Sequence, residues 1–175
     1  MMKTIHLPFR QKAILGKEKA NLLCNDKYKK NIDSRREKII SAAIAIEETL
    51  NSIIMLTMFR ENIKEHDLIL STFLEADWCS FGIKRKIFNQ INQRFDLVKG
   101  KNKSDLESNL SRVMKYRNAF AHGAYELNQG VFYLKYFYNK PIEQKLDDEF
   151  WEKIETCFMG SFNQLSKLEI ELIKN

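Results

Sequence analysis

The stretch Tyr116-Arg117-Asn118-Ala119-Phe120-Ala121-His122-Gly123 holds the side chains best suited to chemistry in this 175-residue chain. Arg117 supplies a permanent cation with several N–H donors, and His122 a ring that exchanges protons near neutral pH. Asn118 stands four residues before His122, so on a helix the two share a face. Such a trio suits a phosphodiester. It can bind the anion, stabilise charge developing around phosphorus and pass a proton. Arg117 lies four residues after Val113 and three before Phe120, inside an apolar stripe that also holds Leu106, Leu110 and Ala121. A guanidinium on such a stripe is costly unless a carboxylate, an interface or a phosphate ligand compensates it. The same spacing also fits a structural reading, with His122 closing a helix beside Gly123 and Arg117 paired to a core carboxylate such as Glu47.

Other combinations are weaker. Cys79 or Cys157 with His122 suggests a thiol nucleophile, but cysteine more often serves as a small core residue. His66, Asp67 and the nearby acids lack the spacing of metal ligands. The aromatic run Phe132–Phe137 offers faces for stacking bases, but a hairpin packed on helices explains it more simply.

Composition narrows the classes. Hydrophobic residues make up 44% and charged residues 30%, the balance of an ordinary globular protein. Six Gly and two Pro leave little material for a many-turned sandwich or barrel, so long helices are expected. The apolar stretch Leu50–Phe59 is interrupted by Asn51, Ser52 and Thr57 and is short for a membrane span. The N-terminus, MMKTIHLPFRQK, has no apolar core of a secretory signal. Cys24, Cys79 and Cys157 form no CxxC pair, so neither a disulfide framework nor a structural zinc is expected, and a reducing cytoplasm fits. The net charge is +6, unevenly spread. Residues 78–117 carry 10 Lys/Arg against 3 Asp/Glu, a candidate phosphate-binding surface or simply a solvated face.

The elements that must position the trio follow from periodicity. Residues 1–30 read as a basic arm or short helix, and 31–175 as one helical domain. A long helix starts at Asp33 or Ser34, with Glu37 at capping-box spacing. Its apolar stripe comprises Ile39, Ala43, Ile46, Leu50 and Ile53, flanked by Ile40, Ile44, Ile54 and Met58, with Glu47 and Asn51 in its second row. A shorter helix spans 67–78. Ser80 caps a third, carrying Phe81, Ile83, Ile87, Ile91 and Phe95, with Lys84, Arg85 and Lys86 beside them. KGKNKS (99–104) reads as a loop, and Ser104 or Asp105 caps the motif helix, which ends at Gly123 as a C′ glycine. Ala124–Leu127 and Val131–Tyr138 flank Asn128-Gln129-Gly130 as a hairpin, and Ile142–Leu146 adds a third short strand. Asp147 or Asp148 caps a last helix with Phe150, Trp151, Ile154, Phe158, Phe162, Leu165, Leu168 and Leu172 at helical spacing. The fold class is mainly α: a bundle of four to five helices with a short β-hairpin inserted before the C-terminal helix.

The string Arg-Asn-x-Phe-Ala-His-Gly at the end of a bundle helix resembles the R-x4–6-H motif of HEPN (higher eukaryotes and prokaryotes nucleotide-binding) domains. The layout over 33–173 is similar too, with a long first helix, the basic helix Ser-Phe-Gly-Ile-Lys-Arg-Lys-Ile before the motif helix, and a closing helix. In residue identity the resemblance rests mostly on 117–123. It implies a metal-independent ribonuclease that needs no cofactor, of the kind found among toxins, antiphage proteins and CRISPR effectors, with its site formed where two motifs meet in a homodimer. Carried over, Arg117, Asn118 and His122 are the catalytic residues, with Glu47, Tyr116 and Tyr125 as supporting candidates and Lys84, Arg85, Lys86 and Lys115 as RNA contacts. The implied partners are RNA, a second copy of the chain and an antitoxin or regulatory protein, with no membrane. The implied products carry a 2′,3′-cyclic phosphate and a 5′-hydroxyl. The branch paired with nucleotidyltransferase antitoxins has Tyr two residues after the His. Here that position is Ala124, with Tyr125 after it, so the chain is not placed in that branch. A HEPN-like module that binds nucleotide, RNA or protein without cleaving is the alternative.

Overall fold

A computed structural model of the chain describes residues 3–7, 11–15, 26–60, 65–128 and 131–174. The chain is mainly helical, with a small three-stranded antiparallel sheet set before the final helix. In order, the elements are β1 (Lys3–Leu7), β2 (Gln11–Leu15), α1 (Asp26–Met58), α2 (His66–Ile69) running into a π-helical turn at Leu70–Leu74, α3 (Phe81–Phe95), α4 (Gly100–His122), β3 (Ala124–Asn128), β4 (Val131–Tyr138), β5 (Lys140–Lys145) and α5 (Asp148–Lys174). Contacts divide it into two compact units, Met1–Ser41 with Lys115–Glu155, and Ala42–Met114 with Thr156–Asn175. The boundaries fall inside α1, α4 and α5.

Four expectations about the elements need correction. Residues 3–7 and 11–15 pair as an antiparallel hairpin, Lys3 opposite Leu15, in place of an arm or short helix. The first long helix begins at Asp26, so Asp33 and Ser34 are interior and the capping-box spacing goes unused. KGKNKS is helical from Gly100; its Lys, Asn and Ser side chains cover a largely solvated first turn, which mimics the composition of a loop. The shorter helix is brief as well, giving way to the π turn by Leu70. Of the expected hairpin turn, Gln129 and Gly130 lie outside the described residues.

In the unit containing the motif, β3, β4 and β5 pair antiparallel in sequence order. Tyr125 sits opposite Leu134, and Tyr136 opposite Ile142. Alternation puts Leu134, Tyr136 and Tyr138 on one face of β4. Leu134 is fully buried; Tyr136 and Tyr138, further along, are half-buried. Phe120 packs on Phe150, Trp151 and Tyr125, with ring centroids 5.6–6.4 Å apart. Asp147 caps α5 by accepting the Phe150 N–H at 3.0 Å. That bond holds the Asp147 carboxyl below the usual carboxylate range.

In the second unit, Ile54, Met55, Leu74, Cys79 and Ile91 form a buried cluster. Phe88, Leu106, Leu110, Val113 and Leu165 are also buried there. The apolar stripe of α1 is buried at Ile39, Ala43, Ile46, Leu50, Ile53 and Ile54, while Ile44 and Met58 are exposed. Residues Lys30–Met58 are long and apolar enough to cross a bilayer by length and composition, unlike the short run Leu50–Phe59 considered alone, but half of its most apolar 18 residues are buried within the protein. A buried core helix passes the same test.

Candidate functional site

The last two turns of α4 carry Arg117, Asn118 and His122. Ala119 and Phe120 are buried and fix the orientation of these turns. Arg117, expected among the core-facing residues, is half-buried, whereas Asn118 and His122 are exposed. Arg117 Nη1 donates to Asn118 Oδ1 at 3.0 Å. Among the described residues His122 has no hydrogen-bond or ion-pair partner. The motif therefore presents an arginine braced by its neighbouring amide and, one turn on, an imidazole open to solvent. Such an arrangement can receive an anion and exchange a proton with it.

Two features hold the end of this helix. Arg36 of α1 donates from Nε to Phe120 O at 2.9 Å and from Nη2 to Ala121 O at 3.3 Å. These are last-turn carbonyls without helical partners, at the negative end of the helix dipole, where a cation is favoured. The second is Gly123. Its backbone does not take the left-handed conformation expected of a C′ glycine; among the described residues the glycine with positive φ is Gly100. A Cβ at Gly123 would collide with Ala119 O and come within 2.7 Å of Leu134 Cδ1 and 3.1 Å of Lys135 O. Glycine is needed here because a side chain would overlap a last-turn carbonyl of its own helix and crowd β4.

The supporting candidates separate. Tyr125 is buried, its hydroxyl has no partner among the described residues, and burial pushes its phenol well up against the opposing effect of Arg36. It is a core residue rather than a group for proton exchange. Tyr116 stacks edge-on against Phe150 at 5.6 Å. Glu47, in the other unit, is bound to Lys84 at 2.6 Å.

The candidate RNA contacts separate as well. Lys84 is a correction. Its side chain is 5% exposed and its ammonium is held by Glu47, so it stabilises the fold instead of facing a ligand. Arg85 is half-buried with its Nε unpartnered among the described residues, and Lys86 is exposed. Lys115 is half-buried, its Nζ 5.5–5.8 Å from the ring centroids of Tyr116, Tyr136 and Tyr138. Sequence reasoning missed Arg36, which carries no local signal on a long basic helix. Tyr136 falls in the aromatic run Phe132–Phe137 already noted for its stacking faces, whereas Tyr138, in period-two alternation with Leu134 and Tyr136, was not singled out.

The thiol and metal alternatives are placed too. Cys157 is buried, donates to Asn109 O at 3.3 Å, and burial pushes its thiol up to about 11. Burial also raises Cys79. His66 Nε2 donates to Phe59 O at 2.8 Å. Compared with known protein families, curated proteins and solved structures, the chain matches none.

Proposed function

We propose that this chain is a metal-independent endoribonuclease of the HEPN type, acting in the cytoplasm as a homodimer in a toxin–antitoxin or antiphage system. The observation that carries the reading is that the motif's polar groups are not used by the fold. Asn118 and His122 are exposed on adjoining turns, and Arg117 bonds to Asn118. A structural arginine and a capping histidine would have spent their donors on buried acceptors, as Arg36 does on the carbonyls of Phe120 and Ala121.

In the proposed reaction the ribose 2′-oxygen attacks the adjacent phosphorus. The new P–O2′ bond forms, the P–O5′ bond breaks, a base takes the 2′-hydroxyl proton and an acid protonates the departing 5′-oxygen. Arg117 neutralises charge on the phosphorane oxygens, and Asn118 orients the guanidinium. One chain supplies one motif histidine; a two-fold partner supplies a second, so that one imidazole acts as base and the other as acid.

RNA cleavage by purified protein in EDTA, beside His122→Ala, tests this. Products ending in 2′,3′-cyclic phosphate, lost in the variant, are expected. Equal inertness of both proteins on varied RNAs would replace this reading with the non-catalytic binding module.

A further inference from the structure

Lys115 lies seven residues before His122 on α4. Seven residues turn a helix through almost two full revolutions, so Lys115, Asn118 and His122 share one stripe, with Lys115 about 10 Å before His122 along the axis. Lysine is ordinarily a mobile surface side chain. Here three tyrosine rings approach its ammonium, Tyr116 at 5.7 Å, Tyr136 at 5.8 Å and Tyr138 at 5.5 Å. Each contact lies within the range of a cation–π attraction.

The rings come from two directions. Tyr116 follows Lys115 on α4, while Tyr136 and Tyr138 extend the core face of β4 outward from fully buried Leu134. All four side chains are half-buried, so the cluster is neither sealed in the core nor fully solvated. Burial raises the Tyr136 phenol, with Tyr116 adding to it, which keeps the hydroxyl neutral. A lysine held this way has already lost part of the rotamer freedom that binding would otherwise remove. The opposite face of β4 is organised differently, with Lys135 consumed by Glu126 at 2.6 Å and Glu143 at 3.0 Å. Among the described residues no carboxylate pairs with Lys115 on the tyrosine face.

We propose that Lys115, Tyr116, Tyr136 and Tyr138 form a strand-binding subsite for single-stranded RNA, in which the lysine takes a backbone phosphate beside the scissile nucleotide and the tyrosines stack its base. The proposal rests on the nuclease reading and gives it a substrate class. An ammonium held among aromatic faces pairs a charge for phosphate with surfaces that accept any unpaired base. In a duplex those faces are already stacked on one another, so paired RNA cannot use the rings.

Fluorescence anisotropy with a labelled single-stranded 2′-O-methyl oligonucleotide measures binding without cleavage, because that ribose lacks a free 2′-hydroxyl. We expect Tyr136→Leu and Tyr138→Leu each to weaken binding about 10-fold, while Tyr136→Phe, which keeps the ring, binds as wild type. Lys115→Gln should reduce the slope of log affinity against log salt by about 0.7. A matched duplex should show no dependence on the tyrosines. His122→Ala should fail to cut unmodified RNA while its binding keeps the same dependence on the tyrosines. Wild-type affinity in the Leu variants and an unchanged salt slope in Lys115→Gln would overturn the subsite, even if His122-dependent cleavage persisted. Equal tyrosine dependence for duplex and single strand would overturn its single-strand character. Tyrosine-dependent binding by a protein that cleaves no RNA would support the subsite and overturn the nuclease reading. The Lys115→Gln arm retains the packing, so its salt slope decides the matter even if a Leu variant fails to fold.

Discussion

Lys84 lies buried on α3 with its ammonium 2.6 Å from Glu47, whereas Arg117 lies half-buried on α4 with its guanidinium 3.0 Å from neighbouring Asn118. Both are cations at helical spacing from apolar residues, one expected in catalysis and the other as an RNA contact. The surroundings separate them. An ammonium that is 5% exposed must be neutralised, and once Glu47 has done so neither charge remains for a ligand. Arg117 keeps one edge in solvent and spends a single donor on an exposed amide. The difference teaches where to look for chemistry in this fold: among polar groups that the core has not already satisfied.

The sharpest test is to remove His122, which the fold does not use. His122→Ala should lower RNA cleavage by about 1,000-fold, the usual weight of a positioned acid or base. Its unfolding free energy should stay within about 0.5 kcal/mol of wild type, as for a surface change. Urea unfolding beside the cleavage assay measures both. A large stability loss would move His122 to the structural side of the comparison.

Glu47→Ala should do the opposite. It leaves the Lys84 ammonium buried and unpaired and should destabilise the chain by about 3 kcal/mol. Lys84→Met should cost less, because Glu47 is 22% exposed and can turn toward water. Equal and negligible losses would mean that water already reaches the pair, and the contrast with Arg117 would collapse.

These two regions also mark the limit of what the sequence makes legible. The stripe Ile39, Ala43, Ile46, Leu50, Ile53 betrays a core helix because apolar period and burial coincide there. The hairpin, the third strand and the Asp147 cap were readable for the same reason: local patterns agree with the tertiary outcome. Within the motif, the residue types and the shared face of Asn118 and His122 were readable, while the exposure of that face was not. The partner of Glu47 was not, since 37 residues separate it from Lys84 and no local pattern encodes that pairing. KGKNKS was misread because a solvated helical turn and a loop draw on the same residues. Gly123 was placed correctly at the helix end but for the wrong reason, because close approach to β4 is invisible before β4 is placed.

Arg36 stands between the two classes, spent on the fold at the very turn that carries the motif. Arg36→Ala removes two charge-assisted bonds to the carbonyls of Phe120 and Ala121. It should cost about 2 kcal/mol of stability. Because the freed turn carries His122, cleavage should fall as well, with kcat affected more than KM. Arg36→Lys should restore part of both, by returning a cation to the helix end without the fork that reaches two carbonyls. Full activity in Arg36→Ala would separate the helix cap from the motif it closes.

The smallest effect concerns Cys157, a polar group spent entirely inside. Its Sγ donates to Asn109 O, and burial raises its thiol from an ordinary value near 9.0 to about 11. The unfolded chain therefore loses this proton at lower pH than the folded one. Stability from the buried neutral thiol is present in full below pH 9 and drains away as the pH rises through 11. Urea midpoints at pH 8 and pH 10 for wild type and Cys157→Ala should show a steeper decline in wild type, since the variant has no thiol to titrate. Both proteins carry the same lysines and tyrosines, so their alkaline titration cancels in the difference. Parallel declines would mean that the thiolate is tolerated where it sits, and Cys157 would then join Arg117 and His122 among the groups open to chemistry.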